Sequence, residues 1–140
     1  MHLNLDEVIM KTLCVALMLV AVTSCNSTTD ITNNAAKMTD FVIGQTYELK
    51  KPAYVWKGRL MPRELADSEA TLASGTILAI RKVQVDHSPE MGTITDVFAE
   101  VVAGHSKGRV VNVTWVSEVL KTGYTKRNPE MLEPVEGETK

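Results

Sequence analysis

Cys25 is the residue whose surroundings most clearly indicate chemistry. It follows Lys11 and a predominantly apolar run of eleven residues, Thr12 to Val22. A helix of that length reaches about 16 Å, whereas the hydrocarbon core of a bilayer is about 30 Å thick. The run is therefore too short to span a membrane, but it has the length of the apolar part of an export signal. The alternative is a buried core helix, although no polar face interrupts the run.

The residues that lead to Cys25 strengthen this interpretation. Val22-Thr23-Ser24-Cys25 resembles the lipobox of a bacterial lipoprotein signal, in which small residues precede a cysteine. The resemblance implies a signal peptide of residues 1–24, a diacylglyceryl group on the Cys25 thiol and an N-acyl chain on its amine. Two or more acyl chains anchor a protein stably, at about 0.8 kcal/mol per buried methylene. It also implies the bacterial cell envelope, and Asn26 after the cysteine favours the periplasmic face of the outer membrane.

The first nine residues fit such a signal poorly. Asp6 and Glu7 oppose the positive charge that is normal ahead of the apolar run. We therefore predict that translation starts at Met10 rather than Met1. Cys14 would leave with the signal peptide, so that the exported chain could form no internal disulfide.

Aromatic residues offer a candidate binding surface. Tyr54 and Trp56 are two residues apart, which places them on one face of a strand. If that face is exposed, they and Tyr124 could form a groove for an extended peptide or a glycan, since aromatic anchors among polar groups are typical of binding patches. We expect Phe98 and Trp115 to fill the core, leave Trp56 open between core and surface, and place Tyr54 and Tyr124 at the surface.

The titratable side chains do not indicate catalysis. His87 and His105 fall in predicted turns, and their spacing with Asp86 fits no zinc pattern, so we expect solvated histidines and no metal site. Paired carboxylates can perform glycoside hydrolysis. The candidate pairs lack the contrast of one apolar and one polar environment and are interpreted as surface charge: Asp86 with Glu90, and Asp96 with Glu100.

Motifs and charge exclude several classes of function. Gly104-His105-Ser106-Lys107-Gly108 is interpreted as a glycine-bracketed hairpin turn, and the chain has no phosphate-binding glycine loop, so we predict no catalytic residues, no enzyme activity and no cofactor besides the lipid. The formal net charge is −2, which argues against a nucleic-acid partner because such a partner requires a clustered positive surface. Asn112-Val113-Thr114 matches a glycosylation sequon, which we interpret as accidental.

Composition divides the exported chain into a tether, one domain and a tail. Residues 26–37 are small and polar, which predicts a flexible tether that, with the lipidated cysteine, occupies residues 25–40. The domain spans residues 41–135, and residues 136–140 form a polar tail. Alternating or β-branched segments predict the strands: 46–50, 53–56, 77–85, 97–102, 109–116 and 131–135. A short helix after Pro62 competes with a plain loop, and Ser117 could cap one helical turn at 117–120.

The order of these elements resembles a bacterial SH3-like barrel, in which three consecutive strands and a helical turn precede the last strand. The resemblance implies an all-β fold, a small antiparallel barrel after an N-terminal signal helix and a disordered linker. A small OB-like barrel remains the competing fold. The expected function is non-catalytic binding of an envelope protein or a peptidoglycan ligand, with the membrane as a second partner through the lipid. The alternative is a structural accessory subunit of an envelope complex.

Overall fold

Two long paired strands organise the structure, a computed structural model that describes Ile9 and residues 26–136. The strands that it contains in this part of the chain are β1 (Ser27–Asp30), β2 (Thr46–Leu49), β3 (Ala53–Trp56), β4 (Arg59–Met61), β5 (Ala70–Leu72), β6 (Ile77–Ser88), β7 (Gly92–Ala103), β8 (Val110–Asn112), β9 (Glu118–Val119), β10 (Thr125–Lys126) and β11 (Leu132–Pro134). Two 3₁₀ helices, Thr32–Lys37 and Thr114–Val116, complete the described elements. The predicted all-β class is confirmed.

The β6–β7 hairpin arises from alternating side chains and a tight turn. Val83 and Val85 of β6 are buried, as are Thr95 and Val97 of the opposing strand β7, while the residues between them face the other side of the sheet. We call that second side the outer face. Gly92 has a φ of +76° at the start of β7, a conformation that glycine adopts without strain.

The main sheet is mixed rather than wholly antiparallel. Its strands run in the order β11-β2-β6-β7-β8-β4-β3-β5, and β1 pairs with β6 beside this path. The strands β4 and β8 meet in parallel at Arg59 and Asn112. There the backbone N–H of Asn112 donates to the Gly58 carbonyl oxygen at 2.8 Å. The antiparallel prediction is wrong at this junction, because the β3–β4 hairpin brings β4 alongside β8 in the same direction.

The core lies on the inner face of the sheet. Phe41 and Tyr47 pack edge to face with their ring centres 5.2 Å apart. Aliphatic side chains surround them, and the largest that are fully buried are Leu49, Leu60, Leu72, Leu78, Ile80 and Leu132. Burial of such side chains contributes about 1.5–3 kcal/mol each relative to exposure, so this cluster is the main source of stability.

The segment that composition predicts to be a flexible tether is ordered from Ser27 onward. Ser27–Asp30 form β1 and pair with residues 84–87 of β6, and Thr32–Lys37 form a 3₁₀ helix with Ala35 buried. The prediction is wrong because polar side chains do not prevent a strand from pairing when a neighbouring strand offers a free edge. Cys25 and, apart from Ile9, the predicted signal peptide lie outside the described residues, as do residues 137–140 of the predicted tail.

Several smaller predictions meet different outcomes. The predicted strand 53–56 and the glycine-bracketed turn of residues 104–108 are confirmed. The helix after Pro62 does not form, since residues 62–69 are turns and loop. The helical turn lies at Thr114–Val116 rather than at 117–120, where Glu118–Val119 instead pair with β10. In the described part of the chain, no helix has the length and apolar character needed to cross a membrane.

Candidate functional site

A groove of about 500 Å³ on the outer face combines carboxylates, an arginine and a tryptophan. It lies across β1, β6, β7, β8 and β4 and reaches the second 3₁₀ helix. The residues that line it are Asn26, Thr28, Arg59, Gln84, Asp86, His87, Ser88, Met91, Gly92, Ile94, Asp96, Asn112 and Trp115. A concavity of about 760 Å³ elsewhere is formed by residues 29–34 with Arg81 and Lys82, but it contains no aromatic residue and no carboxyl pair.

The register of the β6–β7 hairpin places two carboxyl groups together. Gln84 of β6 is opposite Asp96 of β7, and Asp86 is opposite Ile94. Asp86 and Asp96 are therefore diagonal neighbours on one face, within reach of each other's side chains. Their carboxyl groups are close enough for each to displace the pKa of the other.

Hydrogen bonds from the neighbouring strands flank this pair on both sides. The Thr28 hydroxyl of β1 donates to Asp86 Oδ1 at 2.6 Å. On the other side, Asn112 Nδ2 of β8 donates to Asp96 Oδ1 at 2.9 Å. The Asn112 side chain is fixed in turn, because its Oδ1 accepts the Thr114 amide at 2.9 Å. Asp86 is thus tied to β1, and Asp96 is tied through Asn112 to the start of the second 3₁₀ helix.

The two carboxyl groups have pKa values displaced in opposite directions. Burial and the hydrogen bond with Asp86 raise the pKa of Asp96 to about 6, against the lowering effect of the Asn112 amide. The hydrogen bond from Asp96, followed by the one from Thr28, lowers the pKa of Asp86. Two adjacent carboxyl groups behave in this way because like charges oppose the second ionisation. Asp96 can therefore exchange a proton near neutral pH.

Arg59 lies between two tryptophan rings at the other end of the groove. Its guanidinium carbon is 5.0 Å from the centre of the Trp115 ring and 5.9 Å from that of Trp56. Both distances are within the range of a cation–π interaction. Trp56 pairs with Arg59 in the β3–β4 hairpin, while Trp115 comes from the second 3₁₀ helix. Arg59 thereby joins two separate elements.

Trp56 is half-buried beside this region, and neighbouring side chains hold its ring in place. Its indole N–H donates to Asp67 Oδ1 at 2.9 Å, and the Lys57 ammonium lies 4.7 Å from its ring centre. Both interactions hold the ring in one orientation. Trp56 is therefore neither a core residue nor a fully exposed one, the two alternatives that the sequence leaves open.

The predictions for the other aromatic residues have different outcomes. Trp115 is 42% exposed, so its predicted place in the core is wrong: the strand that should bury it ends at Asn112 and a 3₁₀ turn directs it outward. Phe98 is half-buried on the outer face, with the Lys82 ammonium 5.8 Å from its ring centre, and its predicted core position is also wrong. Tyr54 shares the face of Trp56, whereas Tyr124, in the turn between β9 and β10, is not among the described residues that line the groove.

The histidines do not come together. His87 ends β6, where its Nδ1 is 2.9 Å from the Thr93 hydroxyl oxygen, whereas His105 lies in the β7–β8 turn against residues 71–76. Within residues 26–136, no group of three or more histidine, cysteine, aspartate or glutamate side chains could hold a metal ion. Asn112 of the apparent sequon is buried and bonded to Asp96, which gives this asparagine a structural role.

Sequence reasoning missed the two features that define the groove. Asp86 and Asp96 were grouped with other carboxylates as surface charge, because their pairing depends on a hairpin register that the turn residues leave undetermined. Arg59 was not singled out, since β4 follows a turn in a weakly patterned region. One usable signal was present: Gln84 and Asp86 alternate with Val83 and Val85, and Asp96 and Phe98 flank Val97, so both sets must share the non-core face of a hairpin.

No protein family, curated protein or solved structure matches this chain in sequence or fold comparisons.

Proposed function

We propose that this protein is a lipid-anchored component of the bacterial cell envelope that binds a protein or cell-wall ligand, such as peptidoglycan, without catalysis. The groove on the outer face carries this proposal, because it gathers an exposed indole, a cation and a carboxyl pair in one concavity. Sites that recognise small or extended ligands have this character: apolar surface with a few fixed polar groups.

The lining indicates the chemistry of the ligand. Trp115 is 42% exposed and Met91 is 65% exposed, so both offer apolar surface to a ligand. Asp86 and Asp96 accept hydrogen bonds and attract cations. A ligand that presents a flat apolar face beside hydroxyl, amide or amino donors would satisfy both ends of the groove, and glycan and peptide segments of the cell wall have these groups.

Local bonding favours binding over acid–base catalysis. Thr28 donates to Asp86 Oδ1 and Asn112 donates to Asp96 Oδ1, and these bonds hold the two carboxyl groups in place as a binding site needs. The nearest histidine, His87, directs Nδ1 to Thr93 rather than to the carboxyl pair.

The proposed anchor would place the groove close to a membrane. Asn26 and Thr28 line the groove, and Cys25 directly precedes them. Because Ser27–Asp30 pair with β6, a lipid on Cys25 would hold the domain near the bilayer rather than at the end of a long tether. A ligand at the inner surface of the envelope would then be within reach.

The SH3-like barrel remains part of this proposal. It is supported by the order of elements: β2, the excursion β3–β5, the consecutive strands β6, β7 and β8, a 3₁₀ turn and then β11. The strand β11 also returns to pair with β2 through Leu132 and Leu49, so the last strand lies beside the first of this series.

Assembly into an envelope complex is the second candidate. Val119 and Leu120 are 43% and 39% exposed and offer an apolar surface to a neighbouring subunit. The strands at the ends of the main sheet path, β11 and β5, have three residues each. Such short edges offer little backbone for pairing with another chain, so ligand binding has the stronger support.

The anchor is tested by changing Cys25→Ser. The variant should move from the membrane fraction to the soluble fraction, and mass spectrometry of the native protein should find a lipid-modified amino terminus at Cys25. Unchanged fractionation, with residues 10–24 retained, would overturn the anchor while leaving the groove untouched.

The groove is tested by photo-crosslinking in intact cells. A photoreactive residue at Met91, on the groove, should capture a protein or a peptidoglycan fragment. The matched control is Val42, which is 55% exposed and does not line the groove. Equal capture from both positions would contradict a site in the groove. A third photoreactive residue, at Val119, tests assembly: capture of a second copy or of the same partner subunits from Val119 alone would favour an envelope complex.

A further inference from the structure

Arg59 presents hydrogen-bond donors that the protein does not use. The guanidinium groups of Arg81, Arg109 and Arg127 each contact an oxygen atom of the chain, a carboxylate for the first two and the Leu132 carbonyl for the third. The Arg59 guanidinium lines the groove, yet within residues 26–136 it forms no hydrogen bond and no ion pair. Its five N–H donors are therefore available to a ligand.

The two indole rings prepare Arg59 to bind a carboxylate. A guanidinium held beside aromatic rings keeps its N–H groups at the edges of its plane, where they match the two oxygens of a carboxylate. The Arg59 side chain is half-buried, and burial of donors without an acceptor costs free energy. Because charge-assisted bonds from arginine to a carboxylate are among the stronger hydrogen bonds in proteins, an anionic ligand group would satisfy these donors best.

The carboxyl pair supplies the opposite charge in the same groove. Asn112 lies between the two ends, because it is paired with Arg59 across β8 and β4 and donates to Asp96. Neighbouring strands are about 4.8 Å apart, so β7 and β4, with β8 between them, are roughly 10 Å apart. In the described part of the chain, no ion pair joins Arg59 to Asp86 or Asp96. One small ligand can therefore contact both charges.

We propose that this groove recognises a zwitterionic amino-acid group, with its carboxylate on Arg59, its ammonium on Asp86 and Asp96, and its aliphatic part against Trp115. This inference rests on the ligand site of the proposed function and names the class of ligand. Each carboxyl group has only its Oδ1 engaged by Thr28 or Asn112, and a carboxylate has about four acceptor sites. Both therefore keep capacity for an ammonium.

The two ends together exclude ligands that carry a single charge. The carboxyl pair repels a simple anion, and Arg59 repels a simple cation, since like charges brought together oppose binding. In the cell wall, the free end of a diamino acid in the peptide carries both an ammonium and a carboxylate. A free amino acid has the same two groups, whereas the N-acetylated sugars of the glycan have no ammonium.

Three matched probes test the proposal on the purified native chain by isothermal titration calorimetry. The zwitterionic probe is diaminopimelate blocked at one end as the N-acetyl amide. The lysine probe, N-acetyl-lysine amide, lacks the carboxylate, and the acetylated probe, in which the second nitrogen of the zwitterionic probe is also acetylated, lacks the ammonium. The zwitterionic probe should bind at least about tenfold more tightly than either, which corresponds to about 1.4 kcal/mol.

Two variants assign the ends of the groove. Arg59→Gln should remove the preference for the zwitterionic probe over the lysine probe, and Asp86→Asn should lower its preference over the acetylated probe. Because each ratio compares probes on one variant, a loss of stability cancels from it. The matched controls Arg63→Gln and Glu64→Gln, in the loop before β5, should bind all three probes as the native chain does.

Further measurements separate the sources of the ligand and the ways of failure. Free alanine that binds as tightly as the zwitterionic probe would support a free amino acid as the ligand, and weaker binding of alanine would support the cell-wall peptide. Equal affinity for the three probes, no binding of the zwitterionic probe, or binding of an N-acetylglucosamine trimer alone would overturn the proposal. If the photoreactive residue at Met91 still captured a ligand in that case, the proposed function would stand without the amino-acid group; if it captured none, both would fall.

Discussion

The guanidinium carbon of Arg59 lies 5.0 Å from the ring centre of Trp115, which makes a residue of β4 the link between the sheet and the second 3₁₀ helix. The same group is 5.9 Å from the ring centre of Trp56. Arg59 therefore shapes the aromatic end of the groove and contributes its positive charge opposite the carboxyl pair. Removing it should alter both stability and the environment of both rings.

Replacing Arg59→Ala is expected to lower the free energy of unfolding by about 1–2 kcal/mol, because two cation–π contacts are each worth about 0.5–1 kcal/mol at exposed sites. Urea titration measures this change. Trp56 and Trp115 are the chain's two tryptophans, so tryptophan emission should shift as well. The control Arg63→Ala, in an exposed loop, should change neither quantity, and equal behaviour of the two variants would show that the contacts contribute nothing.

The carboxyl pair should make the free energy of unfolding depend on pH. The pKa of Asp96 is about 6 in the folded chain, above its ordinary value, so the folded state binds more protons than the unfolded state between about pH 4 and pH 6. The stability that Asp96 contributes is therefore present at low pH and lost as pH rises through this window. The lowered pKa of Asp86 acts in the opposite direction, with stability lost as pH falls toward its folded value.

The variant Asp96→Asn isolates the first effect. Its free energy of unfolding relative to the native chain should rise with pH from about 4 to about 6 and then level off, because the native chain loses its advantage there. Glu64→Gln should give a flat difference over the same range. A flat difference for Asp96→Asn would mean that Asp96 ionises as readily in the folded chain as in the unfolded one.

Gly123 is constrained by both conformation and space. Its φ is +86°, and a Cβ would lie 2.8 Å from the backbone oxygen of Thr93. Gly123→Ala should therefore destabilise the chain by more than the 1–3 kcal/mol or so that a strained backbone conformation alone costs. Gly108→Ala is the matched control, since Gly108 has a φ of +94° and open space around its Cβ position. Thermal unfolding of the two variants should differ, and equal melting temperatures would show that the β7 backbone yields to the added methyl group.

The strands that sequence reasoning located best are those with their own hydrophobic pattern. Ala53–Trp56 and the central part of β6 alternate or are rich in β-branched residues, so local propensity and burial agree. β1 was missed because its four residues carry no apolar pattern, and its pairing depends on the free edge of β6. The short strands β4 and β5 were missed for the same reason, because they form only through pairing with the strands beside them.

The groove was harder to predict than the fold. Asp86 and Asp96 are ten positions apart, and only the register of the hairpin makes them neighbours. Trp115 was expected in the core because Val111 and Val113 precede it at strand spacing, but the chain leaves the strand after Asn112 and turns. Tyr54 and Trp56 were correctly placed on one face, whereas Tyr124 belongs to a turn on a separate small sheet.

The central claim, a ligand site at the groove, is tested most directly by combining the Met91 crosslinker with Trp115→Ala in intact cells. Trp115 is exposed, so the variant should lose no more than about 1 kcal/mol of stability and keep a melting temperature close to that of the native chain. We predict that the crosslinked product disappears while the folded protein remains. Full crosslinking yield in the Trp115→Ala variant would contradict the claim.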